Sequence, residues 1–164
     1  MKNFKKFTLV LLIAAVALLS LVSCAGGNVA DSGTATVVIE TGLEADPYHV
    51  YEVDLSKLEK RDEGVLSLLE YIAGEKDSTL YYSANFGGGY GAYIDSIDVL
   101  SPNPANQYVA VYTSEKKDSA VPTEWAPTVP TAKYGEMTLT YTGVGISSMT
   151  VSDGTVILFR LEGF

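Results

Sequence analysis

The chain reads as an α+β domain in which one helix lies across a mostly antiparallel β-sheet. Three observations predict it. A single segment after residue 30 carries the helical apolar period, seven others alternate or run on in β-branched and aromatic residues, and turn-forming clusters separate them.

Taken in order, "TVVIET" (Thr36–Thr41) predicts a first strand. "YHVYEVDL" (Tyr48–Leu55) predicts a second, with His49, Tyr51, Val53 and Leu55 on one face. The period then changes. In "DEGVLSLLEYIAGE", Val65, Leu68, Leu69 and Ile72 follow i, i+3, i+4, i+7, with Asp62 placed as N-cap and Gly74 as the stop. Strand patterns return in Thr79–Ser83, Ala92–Leu100, Gln107–Ser114, Glu136–Thr142 and Thr155–Leu161. Asp153-Gly154 is a tight-turn pair, and the Pro-bearing stretch from Lys116 to Lys133 reads as one long loop.

The first residues have a different character. Lys2, Lys5 and Lys6 precede an uncharged apolar run that ends at "LVSC" (Leu21–Cys24), the pattern of an export signal. That tetrad resembles the lipobox of bacterial lipoproteins, and it holds the sole cysteine of the chain. The resemblance implies cleavage before Cys24, acylation of its sulfur, and a protein held on the outer side of a bacterial membrane by its lipid. Two acyl chains anchor stably where one binds marginally. A lone cysteine also leaves no intramolecular disulfide. The expected organisation is a leader at 1–23, a lipidated flexible tether at 24–36, Gly-rich and polar, and one domain at 37–164.

Charge excludes one class of partner. Loss of residues 1–23 removes three lysines and no acid, which takes the formal charge from −9 to −12. Nucleic-acid affinity is built from Lys and Arg, so a nucleic-acid partner is not expected.

The stretch "FGGGYGAYIDSI" (Phe86–Ile97) is the most unusual of the chain. It lacks the Lys-Ser/Thr of a phosphate loop and leads into a strand, not a helix. Two readings stay open. The glycines bend a sheet end, or Phe86, Tyr90 and Tyr93 form an aromatic rim around a ligand that approaches the backbone. Trp125, on its proline-flanked loop, is either an exposed binding anchor or a core plug, and Tyr134 shares either fate. His49 is the one histidine, too few for a zinc site once Cys24 is spent on lipid, and no nucleophile elbow accompanies it. The acids Asp95, Asp98, Asp153 and Glu162 lack the spacing of a calcium loop. No metal, cofactor or catalytic residue is expected.

In order, "EGVLSLLEYI", "GGGYGAYIDSI", Trp125 and "GVGISSMTVSDGTVILFRL" resemble the transcobalamin-like C-terminal domain family, a β-grasp-like module of bacterial surface proteins. Thr155 stands where that family usually has a second Asp. The resemblance implies a β-grasp-like fold, a non-enzymatic binding domain and cobalamin or a related corrinoid as ligand, with Phe86, Tyr90, Tyr93, Trp125 and Tyr134 as the candidate contacts. The alternative is an envelope module that contacts a protein or glycan partner and takes no small molecule.

Overall fold

The computed structural model describes residues 28–87 and 89–164. The expected leader and Cys24 lie outside the described residues. The fold is α+β. Among the described residues eight strands, β1 (Thr34–Glu40), β2 (Tyr48–Asp54), β3 (Tyr82–Asn85), β4 (Tyr93–Ile97), β5 (Gln107–Thr113), β6 (Thr131–Tyr134), β7 (Met137–Tyr141) and β8 (Val156–Gly163), accompany one α-helix, α1 (Gly64–Gly74). Six strands form a mixed sheet in the order β2-β1-β8-β5-β7-β6, and β3 pairs with β4 in a separate ribbon. Within the large sheet β1 and β8 run parallel, and the other pairs are antiparallel. No helix among the described residues is long and apolar enough to cross a membrane.

The centre of the sheet is buried on both faces. Val37, Val38 and Ile39 of β1 and Val156 to Phe159 of β8 are all buried, which is why both strands read as continuous apolar runs. Ala35, Val37, Ile39, Val109, Val111, Ile157 and Phe159 face one core, which α1 covers with Val65, Leu68, Leu69 and Ile72. Val38, Ala110, Tyr112, Leu139, Val156 and Leu158 face a second core on the other side, which no helix covers among the described residues. The sheet covers that side with itself. Tyr48, on one edge strand, meets Tyr134, on the opposite edge strand, with ring centroids 5.3 Å apart and planes at 83°. The sheet is therefore rolled until its edges meet over the second core.

Several boundaries differ from the sequence expectation. Residues 28–36 were expected as tether, yet Val29 is buried and bridges Val151, and β1 begins at Thr34. The long loop from 116 to 133 is broken by a 3-10 turn at Lys116–Asp118 and ends in β6. Gly135, at φ +56, supplies the tight turn from β6 into β7, and the four-residue β6 was too short and too close to prolines to register as a strand. Asp62 does not cap α1. Glu63 occupies the cap position without a side-chain bond, and the Asp62 carbonyl instead accepts from the Asn28 amide at 3.2 Å. The helix also includes Gly74, with Glu75 at its C-cap.

The start of α1 is set by close packing. Gly64 sits at φ +52, and a Cβ there would lie 2.2 Å from the Met149 carbonyl oxygen. Gly74 has open space around the equivalent position. Gly64→Ala is expected to destabilise by on the order of 2–4 kcal/mol, combining left-handed strain with a backbone clash. Gly74→Ala is expected to be neutral or to stabilise by about 0.5–1 kcal/mol. Urea midpoints of the two variants provide the comparison, and equal losses would contradict the Met149 contact as the cause.

Candidate functional site

A groove of about 290 Å³ opens beside β5. Val109 and Val111 form one wall, Ala92, Tyr93 and Ile94 the opposite one, and Tyr141 through Ile146 close the end. Each wall has a local cause. At the start of β4 Ile94 is buried between exposed Tyr93 and Asp95, so Tyr93 stands at the rim while Ile94 points to the core; a register irregularity in the pairing with β3 then lets Ile97 be buried as well. β4 ends early at a two-residue turn, where Ile97 and Leu100 exchange backbone bonds at 3.1 and 2.8 Å. Asp98 in that turn takes φ +51, which Asp tolerates better than most residues, so the predicted Ala92–Leu100 strand stops there.

One glycine of the glycine-rich stretch is required by a chain crossing. Gly91, at φ +101, passes against Gly145, whose N–H donates to the Tyr90 carbonyl at 2.7 Å. The next residues repeat the contact, with Ile146 N–H donating to the Ala92 carbonyl at 2.8 Å and Ala92 N–H to Ser147 Oγ at 2.8 Å. A Cβ on Gly91 would meet the Ser147 and Ser148 hydroxyls at 2.8 and 2.7 Å, and one on Gly145 would meet the Ala92 carbonyl at 2.7 Å. Glycine on both chains is the condition for the crossing, and the crossing closes the end of the groove. Gly89 lies in open space.

The five candidate contact residues do not converge. Tyr93 lines the groove and is 44% exposed. Phe86 and Tyr90 are exposed on the loop before β4 and are not in its lining. Trp125 is 91% exposed on a turn closed by Thr123 N–H and the Ala126 carbonyl at 2.9 Å, so it is an exposed side chain and not a core plug. Tyr134 packs on Tyr48 over the second core, on the other face of the sheet.

Tyr141 is the functional candidate that residue patterns missed. It lines the groove, packs edge-on against Tyr112 at 5.7 Å, and burial, reinforced by the charges of Tyr108, Glu162 and Tyr93, pushes its phenol up. It therefore stays a neutral donor and acceptor. Next to it Tyr108 stacks on Phe164 with centroids 5.3 Å apart. The signal that points here is Gly143-Val144-Gly145 immediately after a strand, which marks a close backbone approach.

His49 forms a second constellation. Its Nδ1 bonds the Asp98 carboxylate, and its Nε2 lies 3.2 Å from Asp46 Oδ2. The ring is thus clasped between the loop before β2 and the turn after β4. The hydrogen bond to Asp98 raises the His49 pKa above its usual 6.5; burial opposes it, and the charges of Asp98 and Asp46 add to the rise. Both ring nitrogens are occupied by carboxylates on opposite sides, and no hydroxyl nucleophile bonds it among the described residues. Among the described residues no group of three or more His, Cys, Asp or Glu is placed to hold a metal ion.

Comparison with known proteins adds little. No family model matches the chain, and no curated protein matches it. Among solved structures it is similar to a candidate metal-binding protein from Ruminococcus gnavus, at 14% identity and a TM-score of 0.48, over 80% of this chain and 98% of that one. A likeness this distant carries no argument about ligand or activity.

A pH dependence follows from the His49 clasp. Because the folded state raises the histidine pKa, the clasp contributes fully below the unfolded value near 6.5 and is lost as pH rises through the folded value. The urea midpoint should fall across that window in the native chain and stay flatter in His49→Gln. An identical slope in the variant would assign the pH dependence to other groups.

Proposed function

We propose that the chain is an extracytoplasmic lipoprotein, anchored to a bacterial membrane through Cys24, whose domain is a β-grasp-like, non-enzymatic binding module with its ligand site in the groove beside β5. The observation that carries this reading is the groove, where aliphatic walls and two tyrosines converge. Its size is at the lower end for small-molecule sites.

Two features support kinship with the transcobalamin-like C-terminal family. An N-terminal hairpin followed by the helix, with the last strand parallel to the first inside the sheet, is in keeping with a β-grasp-like reading. The Gly91–Gly145 crossing also joins two of the sequence segments that carry the resemblance. On that basis the ligand is cobalamin or a related corrinoid. A corrin macrocycle exceeds a groove of 290 Å³, so the module would hold one edge of it and leave the rest to a partner.

A second reading is favoured by a different observation. Phe86, Tyr90 and Trp125 are 62%, 69% and 91% exposed outside the groove, the kind of aromatic display that suits an envelope protein or glycan.

Calorimetric titration of residues 25–164 with cobalamin and cobinamide tests the first reading. Saturable heat should appear, and Tyr93→Ala should weaken it by about tenfold, the usual scale for an aromatic anchor. Trp125→Ala should leave it unchanged, since that ring does not line the groove. No heat up to millimolar ligand would retire the corrinoid and shift the weight to the exposed aromatics. The anchor is tested separately: Cys24→Ser should move the protein from the membrane fraction to the soluble one, with loss of the acyl mass.

A further inference from the structure

The wall of the groove formed by β5 is also an incomplete sheet edge. Ser114 N–H donates to the Val156 carbonyl at 3.0 Å and Phe164 N–H to the Asn106 carbonyl at 3.2 Å. Even-numbered residues of β5 therefore turn their backbone groups toward β8, and odd-numbered ones turn theirs to the opposite side. On that side β7 covers one end alone. It pairs at Tyr112 and Thr113, and Thr142 N–H adds a bond to the Val111 carbonyl at 3.0 Å. Past Thr142 the chain turns away toward the Gly145 crossing. At the other end Gln107 N–H is taken by the Asn103 carbonyl at 2.8 Å.

Between these ends, the carbonyl of Gln107, both backbone groups of Val109 and the N–H of Val111 have no partner among the described residues. Val109 and Val111 are 8% and 7% exposed, and both line the groove. Unpaired backbone groups at nearly buried positions are rare and costly. Alternating donors and acceptors at strand spacing form a template for one kind of occupant, another extended backbone.

We propose that this open half-edge docks a short, extended, cationic peptide segment, which adds as a strand beside β5 and places an apolar side chain in the groove. Extension follows from the spacing of the free groups, and an apolar residue at alternate positions follows from the Val109, Ile94 and Val144 lining. Positive charge follows from complementarity: all 20 acidic residues lie after residue 28, with only eight of the 11 basic ones. The inference rests on the groove being the binding site and is independent of the corrinoid.

The probe is the synthetic peptide acetyl-Lys-Val-Lys-Val-Lys-amide, titrated into residues 25–164, which contain every described element. Two control peptides accompany it, one N-methylated at alternate amides and one with Glu in place of Lys. The expected result is saturable binding that slows amide exchange at Val109 and Val111, with about tenfold weaker binding of the N-methylated peptide as its donors are lost, and weaker binding of the Glu peptide. Equal binding of the N-methylated peptide, or unchanged exchange at both valines, overturns strand addition. Equal binding of the Glu peptide overturns the charge assignment. If no peptide binds while cobinamide does, the peptide site is wrong and the small-molecule reading stands; if neither binds, the groove is not the site.

Discussion

The structure depends on the parallel pairing of the first and last strands. Joining β1 to β8 at Thr36–Val156 through Ile39–Phe159 puts two apolar strands side by side in the sheet interior, with both faces in need of cover. One helix covers one face. Rolling the sheet covers the other, and the Tyr48–Tyr134 contact marks where its two edges meet. Burial at roughly 25 cal/mol per Å² rewards that rolling, since Val38, Leu139 and Leu158 would otherwise face water.

Rolling has a consequence for β5. To follow the curve onto the second core, β7 can stay paired with β5 over a short length, after which Gly143 and Gly145 carry the chain back across the first core. The groove is the space left between the departing chain and β4. Its end wall stays shut because two glycines allow backbone to lie on backbone, and its far wall is held in place from the other side by the His49 clasp on the Asp98 turn. The site and the fold thus share their constraints.

Much of the fold was legible in the residues. The single 3.6 period marked α1, and the β-branched runs marked β1, β2, β5, β7 and β8 to within a few residues. What failed did so for identifiable reasons. β6 has four residues, two of them exposed, and leans on Gly135 and β7, so it carries almost no pattern of its own. Asp98 sits in a left-handed turn inside what looks like an unbroken alternation. Asn28 and Val29 look like linker because their partners are all distant in sequence, Asp62 and Arg61 by more than thirty residues and Ser147 and Val151 by more than a hundred.

The candidate site was less legible, and the difference lies in what builds it. Strand period assigns a side chain to one of two faces, yet it does not say which face will be covered by a helix and which by the sheet itself. Tyr93, on an expected strand, and Tyr134, grouped with Trp125 at the long loop, read as contacts of one ligand and end on opposite sides of the sheet. The groove's wall is harder still to foresee, because it is made by backbone groups of Val109 and Val111 that any residues would present. Those groups become available through the length over which β7 stays paired. A site of this kind is written in topology, and the side chains that mark it in sequence are the glycines that steer the chain away.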